Sequence, residues 1–370
     1  MSEKIKKVDF DQVDFEHLTP ESNPEWFNAD GSRKAICELK ESHSDTIKIL
    51  SPGRLVLKRF FRSKLSVIGL VTLVVLFLFS FIGPLFSKWG ETDEDKSPGK
   101  IEYSEILVEF TAEDGQTYSY YKITNTPMKY NIYGPASSEH WMGTDDKGMD
   151  IFTRLMYGGR ISLTLGFVVI FLEAIIGILL GGLAGYFGGW VDMLIMRIVD
   201  IFMCVPTMPI LLIASSMIDS WDVSQDFRIY YLMIILTIFG WSGVARLVRG
   251  QILALREQEY MIAAEASGLP VSRKIIKHLV PNILPQLIVS MTLGLGGIIL
   301  TEATMSYLNL GIPMPKAAWG SMINRATSDE IMENYPNMWI PAGVCIILAV
   351  LAFNFVGDGL RDAFDPKMKR

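Results

Sequence analysis

The sequence predicts an all-α polytopic membrane protein with six transmembrane helices and a small extracellular β-containing insertion between the first and second. Three observations predict it. Half of the 370 residues are apolar, and they are gathered into long blocks. Six blocks reach the roughly 20 residues needed to cross the hydrocarbon, where a helix satisfies its own backbone polar groups. Basic residues collect at the edges of those blocks.

The spans fall at Leu65–Phe86, Ile161–Phe187, Val191–Ile218, Ile229–Leu247, Ile283–Leu308 and Trp339–Val356. An even number returns both termini to one side. Lys58, Arg59, Arg62 and Lys64 precede the first span; Arg246, Arg249, Arg256, Arg273, Lys274 and Lys277 follow the fourth; Arg361, Lys367, Lys369 and Arg370 follow the sixth. All three clusters lie on one side, which the basic flanks mark as cytosolic. The expected organisation is a cytosolic tail at 1–50, a basic flank with the first helix at 51–86, and an extracellular segment at 87–160. A core of helices two to six comes next at 161–356, with a cytosolic loop at 248–282, and then a cytosolic tail at 357–370. The first 50 residues hold no apolar core suited to a cleaved signal peptide, so the first span is expected to stay as an anchor.

The extracellular segment is rich in acids, and within it Ile106–Phe110 and Thr117–Ile123 flank Asp114-Gly115, the pattern of a β-hairpin. In the N-terminal tail, Trp26-Phe27 is either a docking point or part of a solvated segment. The net charge of −6 is spread so unevenly that only its local pattern informs, and no nucleic-acid partner is expected. Cys37, Cys204 and Cys345 offer no paired framework, and the histidines at 17, 43, 140 and 278 no ligand spacing, so neither a disulfide scaffold nor a metal site is predicted. Gly177, Gly181 and Gly185 recur every four residues, leaving one helix face open to close approach by another helix.

Residues 258–281 are too long and too well patterned for a plain connection. Helix formers run to Ser267, Gly268 suits a left-handed cap, and Pro270 suits the first turn of a second helix through Val271–Val280 to Pro281. The pattern is that of two short helices meeting at a glycine turn. Ala263, Ala264, Ala266 and Ser267 keep the first helix thin enough for a partner's groove, and Arg273, Lys274 and Lys277 keep the second wet.

These residues resemble the coupling loop of bacterial ABC importer permeases, whose pattern is Glu-Ala-Ala, three residues, Gly, and an Ile-x-Leu-Pro ending. Ala263, Ala264, Gly268 and Pro281 fall in register; Ile262 stands where the glutamate is expected, and His278 and Val280 replace the isoleucine and leucine. The ending Lys277–Asn282, the segment Gly143–Leu155, Gly185–Asp192, Trp319-Gly320 and Asn354–Pro366 are similar to the C-type permease of oligopeptide and dipeptide importers. The resemblance implies a type I ABC importer permease in a bacterial cell membrane. It also implies a B-type permease partner in a heterodimer, two ATPase subunits that bind ATP and Mg, and an extracellular peptide-binding protein. Tyr260, Ile262, Ala263, Ala264, Gly268, Pro270, His278 and Pro281 are the expected coupling residues. No phosphate-cradling G-x-x-x-x-G-K-[ST] occurs, so hydrolysis is expected in the partners and no cofactor in this chain.

Glu173 and Glu302 are expected to line a peptide passage, because a charge within a span must face protein or water. Arg197 and Asp200 suggest a local pair on one helix or side chains snorkelling to its cytosolic end, and Pro206 and Pro209 either bend a pathway helix or kink it for packing. Gly240-Trp-Ser-Gly243 matches the motif of intramembrane serine proteases, but no histidine lies inside a predicted span. The rival readings are a permease for dipeptides, nickel complexes or another small solute, and an ion-coupled secondary carrier.

Overall fold

The computed structural model of the chain describes residues 52–97, 101–111, 116–127, 130–220 and 224–365. Two units divide it, residues 1–55 and 56–370. Of the first unit, the described part is Pro52–Leu55, the opening of helix α1 (Pro52–Phe60). The N-terminal tail with Trp26-Phe27, the hairpin turn at Asp114-Gly115 and the last basic residues lie outside the described residues.

The second unit holds five helices long and apolar enough to cross a membrane, at Lys64–Phe86, Ile151–Phe187, Phe227–Arg256, Val271–Tyr307 and Pro336–Phe364. The third expected span is instead a bent pair, α4 (Gly189–Cys204) and α5 (Thr207–Ser220), turning by 82°. Pro206 sits in the break: its ring fixes φ and its nitrogen has no hydrogen to donate, so the ladder stops there. Counting that pair as one span gives six.

The first span opens as α2 (Lys64–Phe77), capped by the Ser63 hydroxyl, which accepts from the Ser66 N–H at 3.4 Å. Helix α3 (Ile151–Phe187) is capped by Asp150, whose carboxylate accepts from the Thr153 N–H at 2.7 Å. It starts ten residues before the expected second span, because no proline or capping residue separates Met149–Gly159 from the apolar block beyond it. Helix α6 is Gln225–Arg256, and the glycine stripe of α3 lies against it: a Cβ on Gly177, Gly181 or Gly185 would collide with Val244, the Ala245 backbone or Ile252.

Between the first span and α3, strands β1 (Ile101–Thr111) and β2 (Thr117–Pro127) pair antiparallel, with Leu107 opposite Tyr121 and Val108 opposite Tyr120. Both strands outrun the expected hairpin at their base. Its ends are held together: the Asn131 N–H donates to the Asp95 carbonyl at 3.0 Å and the Asn131 amide to the Asp95 carboxylate at 2.9 Å. His140 completes this knot, with Nδ1 3.0 Å from Asp150 and Nε2 3.2 Å from Asp95. Burial alone would raise the Asp95 carboxyl, but hydrogen bonds from the Ser97 backbone, Asn131, the Ser97 hydroxyl and His140 hold it down at about 2.

The main core joins the first span, α3, α9 (Val280–Tyr307), α10 (Trp319–Asn324) and α12 (Ile340–Phe364). Helix α11 (Asp329–Asn334) lies in the connection to α12. Trp319 is wholly buried; its indole N–H donates to the Leu155 carbonyl at 3.0 Å, and Gly158 and Gly159 leave room for its ring.

Candidate functional site

The connection after α6 folds around one glycine. Helix α7 (Glu259–Ala266) ends in a Schellman motif: the Gly268 N–H donates to the Glu265 carbonyl at 2.9 Å and the Leu269 N–H to the Ala264 carbonyl at 3.2 Å. Gly268 has φ +68°, the left-handed region where a side chain would strain against the backbone. Pro270 then stands as the N-cap of α8 (Val271–Arg273), just before the first turn in which the sequence placed it.

The second helix is not a separate short piece. It passes through a wider turn at Lys274–Leu279 into α9, so Val271–Tyr307 is continuous. Pro281 lies inside this continuous helix, where its nitrogen has no hydrogen to donate, and the widened turn before it makes room for its ring. The Asn282 amide donates to the His278 carbonyl at 2.7 Å and approaches the Tyr260 hydroxyl at 3.4 Å, tying the start of α7 to the start of α9.

Helix α7 is seated by Met261 and Ala264, Met261 joining a buried cluster with Val248, Ile252, Leu279 and Ile283. Ile262 is 61% exposed, and Tyr260, Ala263, Gly268, Pro270 and Pro281 are exposed beside it; His278 is half-buried. The residue at the expected glutamate position thus puts an apolar side chain on the open face. Of the thin-helix residues, Ala264 faces inward and Ala263, Ala266 and Ser267 outward.

Contacts that local spacing could not reveal fix this loop to the spans. Arg256 donates to the Tyr186 carbonyl at 3.0 Å, where the carbonyls at the end of α3 lack helical partners. Lys274, buried, stands 5.4 Å from the centre of the Tyr186 ring and 4.0 Å from Glu265. Arg249 grips Asp192 of α4 with two bonds, at 3.0 and 2.5 Å. Asp200 pairs with Arg246 of α6 rather than with Arg197 on its own helix, because α4 and α6 lie side by side at that end.

The two intramembrane glutamates part company. Glu302 on α9 is 1% exposed; the Ser306 hydroxyl donates to one of its oxygens at 2.7 Å and the Ser162 hydroxyl to the other at 3.0 Å. A carboxylate so enclosed binds α9 to α3 and does not line an opening. Glu173 on α3, in contrast, borders a cavity of about 290 Å³ walled by α3, α5, α6 and α9. Gly240 forms the carboxylate's seat, since a Cβ there would overlap Glu173 Oε1. The neighbouring Ser242 is buried, 5% exposed.

Residues 177–370 match the family model described as binding-protein-dependent transport system inner membrane component, and residues 51–99 that described as N-terminal TM domain of oligopeptide transport permease C. The chain is similar to the oligopeptide transport system permease protein OppC of Bacillus subtilis (strain 168), at 36% identity covering 87% of this chain and 92% of that one. It is 37% identical to the dipeptide transport system permease protein DppC of Alkalihalophilus pseudofirmus, covering 88% and 93%. Among solved structures, a chain of the inward-facing MetNI methionine ABC transporter aligns with 57% of this chain and 97% of its own at 21% identity and a TM-score of 0.41.

Proposed function

This chain belongs to the binding-protein-dependent transport system inner membrane component family, and from that premise we propose that it is the C-type permease of an ATP-driven importer of oligopeptides. It is a transport subunit of the inner membrane, not an enzyme. In the assembly proposed, a B-type permease completes the pathway, two ATPase subunits bind ATP and Mg, and an extracellular protein delivers peptide. Both termini and the loop around Gly268 face the cytosol, and the hairpin faces outward.

The observation that carries the reading is the loop itself. A short helix with Ile262 and Ala263 uncovered is braced from behind by Met261, Lys274 and Arg256, so a push on its open face passes to α3, α6 and α9 instead of being absorbed by a slack connection. An ion-coupled carrier has no use for such a docking face. Peptide would pass the Glu173 cavity, while Glu302 serves the packing of α9 on α3.

Two relatives carry oligopeptide and dipeptide names at nearly equal identity, so cargo length is the finer part of the proposal. Uptake of a labelled series from two to six residues, by the assembly reconstituted with its binding protein, tests it. Longer peptides are expected to be carried; uptake confined to dipeptides would shift the reading to the dipeptide branch. Peptide movement by this chain alone down an ion gradient would overturn the ATP-driven reading.

A further inference from the structure

Glu173 is only 6% exposed, yet no hydrogen-bond or ion-pair partner meets its carboxylate among the described residues. It lies midway along the apolar stretch of α3, level with Gly240 in α6 and with Gly294 and Gly297 in α9. A carboxylate at that depth is costly without a cation beside it. The room for a cation is present: the cavity at its oxygens is open along exposed Gly297 and is bordered by Thr207 and Thr301, with no other charged side chain in its lining.

The site is also shaped around the carboxylate. Gly240 and Gly294 lack the side chains that would fill the seat or crowd α3, Gly240 against Glu173 and Gly294 against Ile170. The glycine-lined walls let an extended backbone lie close to the helices, and the Thr301 hydroxyl, which donates to the Gly297 carbonyl at 2.9 Å, keeps its oxygen to accept from a passing donor. A group that arrives positively charged, carries hydrogen-bond donors and travels on a backbone fits such a cavity.

We propose that Glu173 is a way-station for the terminal ammonium of the peptide cargo: an ammonium passing the cavity donates hydrogen bonds to the Glu173 carboxylate, with Thr207 and Thr301 taking adjoining polar groups. The inference rests on the peptide-importer reading. A small cavity with one charge selects for a feature shared by all peptides with a free amino terminus and indifferent to their side chains. Tight capture is not expected, because the ligand must leave again.

The test uses the complete importer in proteoliposomes with its binding protein present in saturating amounts, and two labelled probes: a tripeptide with a free amino terminus and the same tripeptide N-acetylated. Glu173→Gln is expected to lower the maximal uptake of the free peptide about tenfold, the scale of one lost charge-assisted hydrogen bond, leaving half-saturation and acetylated-peptide uptake as in the wild type. Glu173→Asp is expected to restore most of the rate, and Gly240→Ala, which displaces the carboxylate, to imitate Gln. Wild-type uptake of the free peptide by Glu173→Gln, an equal loss for both probes, or failure of Asp to restore the rate would overturn the inference while leaving the importer reading intact. If the wild-type assembly carries neither peptide, the importer reading falls and this inference with it.

Discussion

Trp319 shows how much a single side chain can hold. It joins the short helix α10 to α3 through the Leu155 carbonyl and fills the space that Gly158 and Gly159 leave. Its removal opens a cavity that rigid helices cannot close, so Trp319→Ala should cost about 3–5 kcal/mol, read as a lowered melting temperature of the purified chain in detergent. Asp95 gives a pH signature. Its carboxyl titrates at 3.8 when free and at about 2 in the fold, so its contribution is whole above about pH 4 and is lost as pH falls towards 2. Melting temperature measured across that window should fall in the wild type and fall less in Asp95→Asn. Neither residue announced its role in the chain. Asp95 and His140 lie 45 positions apart, and no local spacing links an acid to a histidine at that distance. The part Glu302 plays was half hidden: Ser306 lies four positions on along the same helix, but Ser162 sits on α3, 140 positions away, and only packing shows that the carboxylate is enclosed.

At the scale of the element, the glycine hinge was legible because it is a local affair. Helix formers, then Gly268, then Pro270 dictate a stop, a left-handed residue and a restart within a few positions, and backbone geometry alone enforces it. Gly268→Ala should strain the hinge by about 1–2 kcal/mol and weaken ATPase co-purification mildly. Gly268→Pro, which also removes the N–H bonded to Glu265, should abolish coupled uptake or assembly; normal uptake with normal ATPase recovery would show that the hinge is dispensable. The continuity of the second helix with α9 was not legible, because Pro281 reads locally as a terminator. The widened turn before it and the Asn282 side chain accommodate the ring, and both depend on the helix having a span to run into. The bend at Pro206 belongs to the same class: proline marked the place, while the angle of 82° depends on how α4 and α5 each pack against α6.

For the whole molecule, length and hydropathy sufficed for the membrane class and for the position of each apolar block, since lipid punishes any unpaired backbone. They could not say that α3 begins before the expected boundary, because Arg154, Gly158, Gly159 and Arg160 interrupt the apolar run there, although Ile151 and Leu155 are buried in the main core. The hairpin stands apart from the helices in this respect. Residues 100–176, which include it, fall between the two stretches that match family models, and a two-stranded ribbon adds little stability of its own. Replacing residues 98–129 with a short Gly/Ser linker should therefore leave the melting temperature of the chain near that of the wild type; a large drop would mean that the ribbon braces the helices. The knot of Asp95 with Asn131 gives that experiment a wider use. Because two chain positions on either side of the ribbon are already fastened to each other, the molecule has a ready-made mounting point: an epitope or a small fluorescent domain whose own ends lie close together can be fitted there, and whether intact cells expose it to antibody would report which face of the membrane that end of the protein inhabits.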